Sequence, residues 1–283
     1  MTGSNSKLLS RELATALTGR HIPIYILPFS YSEFLHARKM QHDKKSLDEY
    51  LKVGGFPELI LSFVPNYLNT LLDSLILRDI VDRYKVRNSN NLQTLSNVIF
   101  ESPASPFTLR SLQKMTGIKS PTTVHKFLNY LVEVYSILKL ERFSIKQKER
   151  NGGYSKIYPI DVGYIEAKKK SLTLDTGKVL ETFVAVELYK RCLEKNSELF
   201  YFKTKGGNEV DFIIRKNTQI VQVVQVCERL HKGNYKREIE SALHAGKELD
   251  CKNVIVYVRE MEVNVSEYED RVRFVEVGSG QTL

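Results

Sequence analysis

Apolar positions change period several times along the chain, and each change marks an element. Leu8, Leu9, Leu13, Ala16 and Leu17 recur at helical spacing, with Gly19 as a stop for that helix. "HIPIYILPF" then alternates apolar and polar residues, which predicts a strand closed by Pro28. Ser30 and Glu33 form a capping-box pattern at the start of the next helix. Helical spacing continues through "SLDEYLKVGG" and the long "YLNTLLDSLILRDIVDRYKV". In the latter Leu68, Leu71, Leu72, Leu75, Ile76 and Ile80 share one face, and Asp79, Asp82 and Arg83 occupy the other.

From about residue 89 the pattern predicts a winged helix-turn-helix. "NLQTLSNVIFES" is a first helix broken by Pro103 and Pro106, and "TLRSLQKMTGI" is a second ending at Gly117. A third helix starts with Ser120 as N-cap and Pro121 in its first turn. "KLERFSIKQKERNGGYSKIYPID" predicts two strands around an Asn-Gly-Gly turn, a β-hairpin wing. In such a layout one helix enters the major groove and the hairpin braces it on the backbone. Thr122, Thr123, Lys126 and Asn129 are the polar candidates on the third helix. Lys146, Lys148, Arg150 and Lys156 are the wing's candidates for phosphates. The same layout also serves as a protein-docking module.

Beyond residue 166 the order is helix, three strands, helix, strand and an edge strand, which suits a mixed sheet flanked by helices. The predicted class is therefore a multi-domain α+β or α/β chain.

Charge sharpens this picture. The 283 residues carry a net charge of +9. Between Lys85 and Lys156 stand twelve Lys/Arg against four Glu, so eight of the excess positive charges lie in that stretch. A local basic excess is the footprint of a polyanion partner, DNA or RNA. Three widely spaced cysteines fit neither a disulfide framework nor a zinc site and imply reduced thiols in a cytoplasmic protein. No apolar stretch approaches the roughly 20 residues that span a bilayer, so no membrane partner is expected.

The segment "GGNEVDFIIRKNTQIVQVVQVCE" has the look of a metal-dependent nuclease core of the restriction-endonuclease type. Such a core places an aspartate on one strand and Glu-x-Lys or Gln-x-Lys on the next, with a helix glutamate adding to the shell. Glu181, Asp211 and Gln225 are the catalytic candidates, and Glu181 and Asp211 the metal ligands, with Mg²⁺ the hard cation such oxygens would take. Period-two alternation puts Glu209 beside Asp211, and Cys227 on the side of Gln225 where the lysine should stand. A neutral thiol does not replace an ammonium. Lys236 and Arg237 on the following helix are the positions from which a cation could arrive, and Arg237 could instead pair structurally with Glu209 and Asp211.

"TGSNSKLLSRELATALTGRHIPIYILPFSYSEFL", "GGFPE", "LLDSLILRDIVDRYKV", "YPIDVGY", "LETFVAVEL" and "NEVDFII" together resemble a family of bacterial and archaeal AAA-like P-loop ATPases. Its members end in a nuclease-like domain of unknown function of the DUF4143 type. The resemblance implies that residues 1–30 are a remnant of the ATPase core, 31–88 a helical lid region, 89–165 the winged helix and 166–283 the restriction-endonuclease-like domain. It makes Ser4 and Asn5 a nucleotide-sensor remnant and Arg20 a phosphate-facing arginine. Turn capping and a surface ion pair are the competing structural roles. The family's GxxxxGK[ST] loop is not in this sequence. ATP is then expected to bind only if the missing core is supplied, and the N-terminal region becomes a candidate surface for a protein partner or an oligomer. Three readings stay open: a regulatory, nucleic-acid-binding portion of such an ATPase without ATPase activity of its own, a Mg²⁺-dependent nuclease, and a protein-docking module.

Overall fold

The computed structural model describes residues 24–62, 64–144, 154–169 and 175–279. Ser4, Asn5 and Arg20, and Lys146, Lys148 and Arg150 of the expected wing, lie outside the described residues. The chain enters through residues 24–29, where the expected strand is not formed: among the described residues it has no strand neighbour to pair with. Ile24 and Ile26 stay 86% and 90% exposed there.

Helix α1 (Tyr31–Arg38) opens on the expected capping box, with the Ser30 side chain accepting from Glu33 N and Glu33 accepting from Ser30 N. Helices α2 (Lys44–Val53), α3 (Pro57–Ser62) and α4 (Tyr67–Ser74) follow. The long predicted helix continues beyond α4 as a π-helical stretch, Leu75–Asp82, which keeps Ile76 and Ile80 buried. Next come α5 (Ser89–Glu101), β1 (Ser105–Phe107), α6 (Leu109–Thr116), α7 (Pro121–Glu133), β2 (Ile137–Glu141) and β3 (Ser155–Pro159). Gly117 ends α6 in the left-handed conformation at φ 70°, and Ser120 caps α7 with Pro121 in its first turn. The three strands form an antiparallel sheet in the order β1-β3-β2, so β3 is paired on both sides.

After α8 (Gly163–Lys168) the chain runs through α9 (Thr176–Glu194), β4 (Glu198–Lys203), β5 (Glu209–Lys216), β6 (Gln219–Leu230), α10 (Tyr235–Glu248), β7 (Val254–Met261) and β8 (Arg273–Glu276). These strands make a mixed sheet in chain order, antiparallel from β4 to β6 and parallel from β6 to β8. One sheet face packs α10 through Ile239, Ala242 and Ala245. The other packs α9, which is buried on most sides because α1 and α2 close over it with Tyr31, Phe34 and Tyr50.

Two cores therefore divide the expected 31–88 lid region. Its first half, α1 to α3, shares the core of the large sheet, whereas α4 and the π-helix pack with α5 to α7. The joint is tight backbone packing. Gly54 (φ 81°) and Gly55 press against Asp161 and Phe29, and a Cβ on Gly55 would stand 2.1 Å from the Phe29 carbonyl oxygen. Asp161 is buried and accepts from Gly55 N at 2.6 Å and Gly163 N at 2.8 Å. "GGFPE" and "PIDVGY" are thus two halves of one structural joint.

A carboxylate cluster and the lysine that fills it

β5 carries a β-bulge. Phe200 pairs with Ile213 but Phe202 with Val210, so two β5 residues, Asp211 and Phe212, face Tyr201 alone. The bulge turns both Asp211 and Phe212 toward α9. Glu209 lies on that face too, as alternation predicts. Glu181 comes down from the second turn of α9 to meet them.

The bulge also corrects a sequence expectation. Gln225 stands across from Asp211 along β6 but points to the opposite face. There its amide donates to Glu238 of α10 at 2.9 Å, while its Oε1 is buried without a hydrogen-bond partner. Cys227 shares that α10 face, as alternation predicts. Where β5 and β6 part, the Asp211 Oδ2 accepts from Val226 N at 2.9 Å. Glu181 and Asp211 converge; Gln225 does not join them. The next helix supplies no cation either, since Arg237 pairs with Glu238 and Lys236 lies over the Tyr235 ring.

The cation comes from β3. Lys156, expected on the surface for phosphates, is 3% exposed. Its Nζ lies 2.7 Å from Glu209, 2.8 Å from Glu181 and 3.4 Å from Asp211. Alternation along β3 puts Tyr158 on the same side, and its hydroxyl donates to Glu181 at 2.8 Å. The sequence carries a signal for this placement: Lys156 heads the run "KIYPI" and shares the parity of the apolar Tyr158 and Ile160, where a solvated lysine is out of place. Around it the hairpin is fastened to the large sheet. Phe143 N donates to Tyr201 O at 2.8 Å, the Tyr201 hydroxyl to Tyr154 O at 2.6 Å, and Lys178 on α9 to Ser105 of β1 at 3.0 Å.

The electrostatics follow from three carboxylates around one ammonium. Burial alone would disfavour the Lys156 charge, but Asp211, Glu181 and Glu209 outweigh it and hold the ammonium well above the ordinary lysine range. Asp211 is pushed up to about 7, first by burial and then by the Glu181 charge, against the opposing pull of Lys156 and the Val226 N–H. The cluster does not fit a bridging metal ion in this arrangement, because the ammonium fills the space between the carboxylates. Among the described residues no group of three or more His, Cys, Asp or Glu side chains is set to hold a metal.

On the 89–165 unit, Thr122 and Lys126 are exposed on α7 and Thr123 partly so, with Lys126 also over the Tyr130 ring at 5.8 Å. Arg110, Lys114 and Lys119 are exposed as well, and no acidic residue occurs between Arg110 and Asn129. No helix among the described residues is long and apolar enough to cross a membrane.

Three family models match: an AAA domain over residues 1–35, a domain of unknown function (DUF8612) over 44–173, and a domain of unknown function (DUF4143) over 176–277. Relatives include the uncharacterized protein MJ1544 of Methanocaldococcus jannaschii, 34% identical over 90% of this chain and 60% of its own length. An uncharacterized protein of Haemophilus influenzae is 29% identical over 91% of this chain and 69% of its own. A second Methanocaldococcus jannaschii protein, MJ1637, is 22% identical over 91% and 62%. The chain thus spans about two thirds or less of the length of these relatives. No solved structure matches it. The AAA-domain match and the DUF4143 match on one chain fit an AAA-like ATPase family that carries this C-terminal domain.

Proposed function

We propose that this chain is a nucleic-acid-binding, regulatory portion of an AAA-like ATPase, which holds the backbone through its 89–165 unit and turns over no nucleotide by itself. The observation that carries this reading is a set of exposed basic residues along α6 and α7, Arg110, Lys114, Lys119 and Lys126, with no acidic residue between Arg110 and Asn129. Three helices with a β1-β3-β2 sheet follow the order of a winged helix, in which α7 would be the helix presented to a groove. Arg110, Lys114, Lys119 and Lys126 are the phosphate contacts, and Thr122 and Thr123 stand nearest the base edges.

Four phosphate contacts imply about a 100-fold loss of affinity for duplex DNA between 50 and 200 mM salt. Fluorescence anisotropy with a labelled duplex measures this directly. Lys126→Glu should weaken binding at every salt concentration. Salt-insensitive binding, or an unchanged affinity in Lys126→Glu, would refute the assigned surface. If neither DNA nor RNA binds, the unit is a protein-docking module.

A metal-dependent nuclease is the competing reading, and it requires Lys156 to leave the space between the carboxylates of Glu181, Glu209 and Asp211. Strand scission that requires Mg²⁺ or Mn²⁺ and disappears in Asp211→Ala would establish it.

A further inference from the structure

The poor fit between the carboxylate cluster and a metal ion has a structural cause. An ammonium group has three donors, and Lys156 places its Nζ within ion-pair distance of three separate carboxylates. Its donors are matched one for one, and none is left for a phosphate. The acceptors are engaged as well: Glu181 also takes the Tyr158 hydroxyl, and Asp211 the Val226 N–H. Nor is Lys156 on a mobile stem, because β3 pairs with both β1 and β2, through Pro106 and Leu140 at this residue. Withdrawing it would require dislocating the central strand of a sheet.

We infer that Lys156 is the resident cation of this cluster, a side chain delivered from the 44–173 domain that takes the place a divalent ion would need between Glu181, Glu209 and Asp211 of the 176–277 domain. The site is divided between the two domains of unknown function, so neither segment contains it whole. The inference does not depend on nucleic-acid binding by α7.

Thermal unfolding of the full chain in Mn²⁺ and in chelator tests it. The wild-type midpoint should be the same in both. Lys156→Met leaves three carboxylates without their counter-ion. It should unfold earlier in chelator and recover by several degrees in Mn²⁺ at about 100-fold excess over its Kd. Lys156→Met combined with Asp211→Asn should lose most of that recovery. A Lys156→Met protein indifferent to Mn²⁺ overturns the inference. If that variant does not fold, Mn²⁺ binding to the wild type by electron paramagnetic resonance decides. Stoichiometric binding abolished by Asp211→Asn overturns the inference, and no such binding supports it.

Discussion

Asp211→Asn should make the protein more stable above neutral pH and change little in acid. Three carboxylates surround one ammonium, and Asp211 is the most deeply placed of them, so its pKa rises from 3.8 to about 7 on folding. A carboxyl with a higher pKa folded than unfolded favours the native state fully below about pH 4. That contribution is lost as pH climbs through 7. A rise of about three units at 1.36 kcal/mol each sets a ceiling of about 4 kcal/mol on the cost of ionised Asp211 at pH 8. The asparagine retains an oxygen for the Val226 N–H but gives up attraction to Lys156, so a net gain of about 1–2 kcal/mol is expected. For a chain of this size that corresponds to a rise of about 2–8 °C in Tm. Thermal and urea unfolding of both proteins at pH 5 and pH 8 measure the difference. Equal effects at the two pH values, or a loss of stability at pH 8, would show that Asp211 is not the overcharged member of the cluster.

The joint between the two cores gives two further tests. Gly55→Ala would force a Cβ to 2.1 Å from the Phe29 carbonyl oxygen, backbone that has little room to yield. A loss of about 3 kcal/mol in urea unfolding is expected, and a loss below about 0.5 kcal/mol would mean that the 28–30 segment is not held there. Asp161→Ala removes the acceptor of both Gly55 N and Gly163 N, and two orphaned buried donors should cost about 3 kcal/mol. Amide hydrogen exchange at these two glycines should accelerate in that variant; unchanged protection would count against the assigned bonds.

Much of the local architecture can be read from residue order alone. The capping box at Ser30, the Gly117 stop, the Ser120-Pro121 start and the strand–strand–strand–helix–strand run of the last hundred residues are short-range effects. Each depends on contacts within a few residues or on one period of alternation. Two tertiary features decided the site. A single extra residue in β5, paired against β4, sent Asp211 to one sheet face and left Gln225 on the other, and period-two reasoning has no means of placing such a bulge. The packing of a basic hairpin against the large sheet then carried Lys156, 55 positions away in sequence from Asp211, into a carboxylate cluster. A lysine's charge says that it needs water or anions; only the fold determines which of the two it meets.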